Sequence, residues 1–205
     1  MEIQTPNGIE FSAAAKVFLC SGQLMAPGGG MYFSYMTPQG TKVDIKALAK
    51  GISLVTVESL ESTGFAQFTP AETKFGFTRV QTFMVHPVYS GAPGFSGRFL
   101  EATRWVDTDL VTVFDRLMTR EQAPMEGFLR HVSQEFVESG IFTPGRAAGV
   151  GAVWNTEWLT YLQEAWMPEA YEIWQRAWAR PDQETIVRNF MTAVAVKQHT
   201  ERDDD

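Results

Sequence analysis

Trp154-Asn155-Thr156-Glu157-Trp158-Leu159-Thr160-Tyr161-Leu162-Gln163-Glu164-Ala165-Trp166-Met167-Pro168-Glu169-Ala170-Tyr171-Glu172-Ile173-Trp174-Gln175-Arg176-Ala177-Trp178 carries five of the chain's six tryptophans. Trp154, Trp158, Tyr161, Leu162 and Ala165 recur at helical spacing and form one aromatic stripe. Pro168 has no N–H for the helical ladder, so the spacing predicts a break or kink there. Tyr171, Trp174 and Trp178 then begin a second stripe, and the segment reads as two helices hinged at Pro168. An aromatic stripe is usually core, and neighbouring helices need something large to pack on. Trp166, Met167 and Ile173 do not all fit the stripes, which leaves apolar side chains for the outer faces. Trp166, Trp174 and Trp178, rimmed by glutamates such as Glu169 and Glu172, have the composition of a protein-binding hot spot.

Outward from this segment the carboxy-terminal half reads as helical. Pro181 and Asp182 signal a last helix with Ile186, Val187, Phe190, Met191 and Val194 on its buried face. Before the segment lies a glycine-containing loop, Ile141 to Val153. Upstream of that, a helix opens near Pro124, carries Met125, Phe128, Leu129, Val132 and Phe136, and stops at Ser139-Gly140. Asp107 or Asp109 caps another, with Leu110, Val113, Phe114, Leu117 and Met118 on one face.

The first half reads differently. Asn7-Gly8 signals a hairpin within residues 1 to 12, and Met31–Met36 with Thr41–Ile45 a second one. Ala13 to Cys20 suits either a helix or a strand, and the three glycines after Ala26-Pro27 suit a loop. Lys46 to Lys50 reads as a helical turn closed by Gly51, and Ile52 to Glu58 as the clearest strand. Further strands are expected at Lys74–Arg79 and Val80–Val88, with a bulge at Gly76, and at Arg98–Trp105 after a loop from Tyr89 to Gly97. Strands followed by helices give an α+β expectation: a β-rich half of hairpins and antiparallel sheet, 1–105, packed against a helical half, 106–200, with a disordered acidic tail at 201–205.

With 205 residues, 44% of them hydrophobic, the chain can bury a sizeable core. Net charge is −7, and its lysines and arginines are scattered, which removes the general attraction to phosphate backbones and sets nucleic acid aside. Cys20 is the only cysteine, so an intrachain disulfide and a cysteine-rich zinc module are excluded. Neither a signal peptide nor an apolar run of about 20 residues is present, so the expected location is cytoplasmic with no membrane partner.

The candidate chemistry is sparse. Gly145-Arg146-Ala147-Ala148-Gly149-Val150-Gly151 has glycine spacing found at dinucleotide pyrophosphates, but it follows a helix rather than a buried parallel strand, and no cofactor is expected. His86, His131 and His199 form no paired-ligand spacing, so no metal is expected. Cys20 follows an apolar run and reads as a small buried side chain. The weak catalytic set is Ser96 on the turn Gly94-Phe95-Ser96-Gly97 with His86 as base and Asp107 as orienting acid. Asp107 and Asp109, with Glu101 and Arg104 nearby, also form a carboxylate cluster, which helix capping explains more simply.

The leading expectation is therefore a non-enzymatic cytoplasmic protein-binding protein. Its style is that of small acidic inhibitors with which mobile elements block a host or rival macromolecular machine, a class analogy and not a motif match. One alternative is a hydrolase-like enzyme with its site between the halves, at His86, Ser96 and Asp107. The other is a structural subunit or homo-oligomer that covers the tryptophans with copies of itself.

Overall fold

A computed structural model describes residues 10–28, 34–37, 40–75, 78–118, 123–143, 153–154 and 156–200. The expected first hairpin, the bulge at Gly76, the Gly145–Gly151 run and the acidic tail lie outside the described residues, the hairpin except for 10–12. The elements run α1 (Ala13–Leu24), β1 (Ser34–Met36), β2 (Lys42–Asp44), α2 (Ile45–Ser62), β3 (Ala66–Phe75), β4 (Thr78–Pro87) and α3 (Gly94–Ala102). They continue with β5 (Thr108–Asp109), α4 (Leu110–Leu117), α5 (Pro124–Glu138), β6 (Phe142–Thr143), β7 (Val153–Trp154), α6 (Thr156–Trp178) and α7 (Gln183–Thr200). The class is α+β, with a strand-containing first half and a helical second half. All the strand pairs among the described residues are antiparallel, in sheets β1-β2, β3-β4-β5 and β6-β7.

Three elements differ most from the sequence expectation. The presumed strand at Ile52–Glu58 is the middle of α2, which runs straight through Gly51. Residues 51–57 are all buried, because α1, α5, α6 and α7 surround this helix. A helix with no polar face shows no 3.6-residue period, and its β-branched residues then imitate a buried strand. Two of its buried hydroxyls turn back to their own helix: Ser53 donates to the Lys50 carbonyl and Thr56 to the Ile52 carbonyl, each at 2.7 Å. Gly51 does not end the helix; it makes room for Trp174, whose ring carbons lie 2.1 Å from where a Cβ would stand.

Arg98–Ala102 is helical, the second half of α3, and the chain then turns rather than extending. The start of α3 has no local side-chain cap, since Pro93 occupies that position. Its cap is Glu135 of α5, whose Oε1 accepts from the Phe95 N–H at 2.5 Å. The same carboxylate accepts from the Ser12 hydroxyl at 2.5 Å and the Ser12 N–H at 3.0 Å at the head of α1. One buried carboxylate thus serves two helix N-termini, where partial positive charge favours it. Burial pushes the Glu135 carboxyl above its ordinary value, against the opposing pull of those hydrogen bonds and of Arg98.

The third difference is α6, which is one helix through Pro168 rather than a hinged pair. Pro168 and Glu164 both lie on the exposed side, so the carbonyl deprived of its donor is open to solvent. Helices α4, α5 and α7 meet on phenylalanines rather than on tryptophans. Phe114, Phe128 and Phe190 meet pairwise with centroids 4.9 to 6.0 Å apart, joining α4, α5 and α7, and Phe95 and Phe99 of α3 extend the group. A continuous hydrophobic core includes these rings and residues of both halves, from Phe11 to Val194.

Smaller differences are that β3 takes in Ala66–Thr73, which the sequence does not mark as a strand, that the expected strand Lys74–Arg79 divides between the end of β3 and the start of β4, and that β6 and the start of β7 fall within the expected loop Ile141–Val153. The open choice at Ala13–Cys20 resolves as helix α1, capped by Ser12. The hairpin β1-β2, the cap at Asp109 and the start of α5 at Pro124 follow their local signals as expected, and Asp44, read as a strand residue, also caps α2. The sheet that carries the site is held from behind by α7: buried Asn189 donates to the Gln81 carbonyl at 2.7 Å and accepts from the Thr82 hydroxyl at 2.9 Å. Among the described residues no helix is long and apolar enough to cross a membrane.

Candidate functional site

Among the described side chains of α6 the tryptophans differ in exposure. Trp166 is 4% exposed and packs on Phe11 with centroids 5.0 Å apart, so it belongs to the core and not to a binding surface. Its position faces α1, because Ala170, Ile173 and Ala177 follow it on the same buried face. Trp174 is half-buried over Gly51 and meets Trp178 edge-on at 5.7 Å, leaving Trp178 36% exposed. Glu169 is paired with Lys16 at 2.7 Å, and Glu172 is exposed.

His86, Ser96 and Asp107 do not converge. His86 Nδ1 lies 2.9 Å from Asp107 Oδ1, but Ser96 is buried in the first turn of α3. Ser96 lines a separate cavity of about 200 Å³, among Ser12, Lys16, Ser59, Thr63 and Arg176. The hydroxyl at the other imidazole nitrogen is Thr69 of β3, with Oγ1 2.8 Å from His86 Nε2. Thr69 and His86 sit diagonally across the β3-β4 register, where Gln67 faces His86 and Thr69 faces Met84, so they share one face of the sheet. Carboxylate, imidazole and hydroxyl are thus in line, the order that activates a nucleophile in hydrolases. Here Thr69 and Asp107 are exposed, and neither of the cavities described in this section contains any of the three. The arrangement works as a polar clip that ties β3 and β4 to the segment entering β5.

Around that clip the backbone departs from ordinary geometry. Arg104 and Trp105 both have φ of +58°, the left-handed region that L side chains avoid. Arg104 follows the C-cap Thr103 of α3, where glycine is the usual choice. Two such residues in succession store about 1–3 kcal/mol each, which the surroundings must hold in place. Buried Thr103 does much of this: its Oγ1 accepts from the Trp105 N–H at 3.1 Å, and its carbonyl accepts from the Thr108 hydroxyl at 3.1 Å. The Thr108 hydroxyl also reaches the Val106 carbonyl at 2.9 Å, and the Arg104 N–H donates to the Glu101 carbonyl at 2.8 Å.

The strained turn exposes apolar surface. Trp105 is 47% and Val106 59% exposed, immediately before Asp107. Just beyond His86, across the clip, Val88 is 43% and Tyr89 63% exposed. The His86–Asp107 contact, from which each dipeptide lies within three residues, brings the two to the same end of the sheet. Half of the large apolar side chains found exposed among the described residues therefore gather at one corner, and the sixth tryptophan is among them. Apart from His86 and Asp107 the sequence does not mark this corner, because left-handed backbone at Arg104-Trp105 has no residue signature and the alternation begun at Ala66-Gln67-Phe68-Thr69 stops at Pro70.

On the other side of the corner, Arg104 lines an open groove of about 490 Å³ with Arg98 and Glu101 of α3, Arg116 and Leu117 of α4, and His131 of α5. Burial, then the charges of Arg98 and Arg130, hold the His131 imidazole below its ordinary value. Elsewhere, burial raises the Cys20 thiol to about 12, which suits an inert packed side chain. Among the described residues no group of three or more His, Cys, Asp or Glu side chains is placed to hold a metal ion.

Comparison of the chain with models of protein families, with curated proteins and with solved structures found no match.

Proposed function

We propose that the chain is a protein-binding protein whose contact surface is the corner formed by Val88, Tyr89, Trp105 and Val106 around the His86–Asp107 clip. The supporting observation is the coincidence of exposed apolar side chains with backbone strain at Trp105. Strained backbone persists where it serves a site, and Trp and Tyr beside a polar clip are the residue types that dominate binding energy. The partner is a different protein offering an apolar recess with a basic rim. Its charge follows from the net −7 of this chain.

The surface of α6 that carries Tyr161, Tyr171 and Trp178 is the competing location. Affinity capture from the organism that encodes the chain separates the two. A Tyr89→Ala/Trp105→Ala variant is compared with Tyr171→Ala/Trp178→Ala, after urea melts show that both are folded. Truncating two hot-spot residues removes on the order of 4 kcal/mol of binding, so the first variant loses its partner and the second keeps it. Equal recovery by both variants sinks the proposal. Self-association of the wild type that Tyr89→Ala/Trp105→Ala abolishes would instead identify the partner as a second copy.

A further inference from the structure

We infer that the groove between α3, α4 and α5 is a binding site for a small phosphate-type dianion. Its lining gathers three guanidiniums on a chain whose net charge is −7. Arg98 is already engaged: it donates to the His131 carbonyl at 2.6 Å and pairs with Glu138. Arg116 is held only by the neutral Ala102 carbonyl, at 2.8 Å, so its charge is uncompensated. Arg104 makes no ion pair or side-chain hydrogen bond with any described residue, although it occupies a backbone position that favours glycine. Against these two free charges stands one lining carboxylate, that of Glu101.

Several guanidinium forks around one groove suit a tetrahedral oxyanion better than a carboxylate, which a single fork satisfies. The acidic remainder of the surface disfavours a polyanion, so the ligand is small. The groove is open to solvent, and Leu117 and Ala102 offer an apolar wall to an organic substituent. His131 reports the field. Its charged neighbours are Arg98 and Arg130, with Arg104, Arg116 and Glu101 across the groove and Glu138 on its own helix beside Arg98. A bound dianion offsets the positive charges and raises the imidazole toward its ordinary value.

The test titrates inorganic phosphate and phenyl phosphate into the intact chain, with phenol as the uncharged control, following heat and the His131 imidazole by NMR. Arg104→Gly is the informative variant, because glycine accepts the left-handed backbone and only the guanidinium is lost; Arg116→Gln is the second. The expected result is saturable binding that weakens about tenfold or more in each variant, together with a phosphate-dependent rise of the His131 pKa. Tighter binding of phenyl phosphate marks a phosphomonoester as the natural ligand, and equal binding marks the free ion. The inference is overturned if phosphate leaves His131 unmoved, if both variants bind as the wild type does, or if phenol binds as well as phenyl phosphate.

Discussion

Gly51→Ala tests the close packing of α6 on α2. By helix propensity alone the change is favourable, by about 1 kcal/mol, because glycine in a helix interior forfeits backbone entropy. The structure predicts the opposite sign. A Cβ at Gly51 would stand 2.1 Å from two carbons of the Trp174 ring, against 3.4 Å for ordinary contact. The indole must therefore retreat by about 1.3 Å, and Trp178 packed against it at 5.7 Å resists that movement. Overpacking on this scale costs about 3 kcal/mol, the upper part of its usual range, which leaves Gly51→Ala about 2 kcal/mol less stable than the wild type. In a Trp174→Ala background the clash is gone, and the same substitution should stabilise by about 1 kcal/mol. The double-mutant cycle then gives a coupling near 3 kcal/mol, read from urea melts with unchanged slopes. If Gly51→Ala stabilises the wild type, or the cycle is additive within about 0.5 kcal/mol, the close approach of α6 to α2 is wrong.

Two further predictions concern single residues. Glu135→Ala leaves the Ser12 and Phe95 N–H groups unpaired in the interior and should cost about 3 kcal/mol or more, whereas Glu135→Gln keeps the shape. The folded carboxyl is raised above its ordinary value of 4.5, so the native state holds the proton more tightly than the unfolded chain does. Its contribution is full below pH 4.5 and is lost as pH rises through the folded value. The stability of the wild type relative to Glu135→Gln should therefore fall from pH 4.5 upward, and a difference that grows with pH would contradict this environment. Arg104→Gly removes left-handed strain worth about 1–2 kcal/mol and loosens the unfolded chain by about 0.5–1 kcal/mol, so it should gain roughly 0.5–1 kcal/mol in the same melts. A loss of stability would mean that the guanidinium itself holds the turn.

The parts of the fold that were legible carry their signals locally. Pro124 opens α5 and Gly140, with φ of +74°, closes it; Asp109 accepts from the Thr112 N–H at the start of α4. The illegible parts depend on residues far away in sequence. For α3 the cap comes from Glu135, 40 residues downstream, so a loop followed by a strand was the natural reading of Tyr89–Trp105. In α2 the residues Ile52–Val57 are covered on every side, and helix periodicity needs an exposed face to be visible. The site divides in the same way. His86 and Asp107 were recognisable as a pair of titratable residues close in sequence, and they do meet. Thr69 was not, because only the β3-β4 register places it on the face of His86. Trp166 reads as an outer residue in the sequence because Phe11, the ring it covers, precedes α1 and gives no sign of facing α6.

The strained dipeptide connects the two proposals through one physical choice. A helix of nine residues such as α3 is ordinarily ended by glycine, and glycine at 104 would relieve the backbone at once. It would also remove the one guanidinium of the groove that no described residue satisfies. The same left-handed pair turns the chain so that Trp105 stands exposed within two residues of the His86–Asp107 clip. Thr103 and Thr108 supply the bonds that keep both residues where they are, although none of these three bonds needs an arginine or a tryptophan side chain to form. Sequences usually agree with their structure at every level, and the places where they disagree are the places to look for function. Arg104 and Trp105 are such a place, and their two side chains serve different surfaces. The anion groove and the protein-binding corner should therefore fail separately, the first with Arg104→Gly and the second with Trp105→Ala.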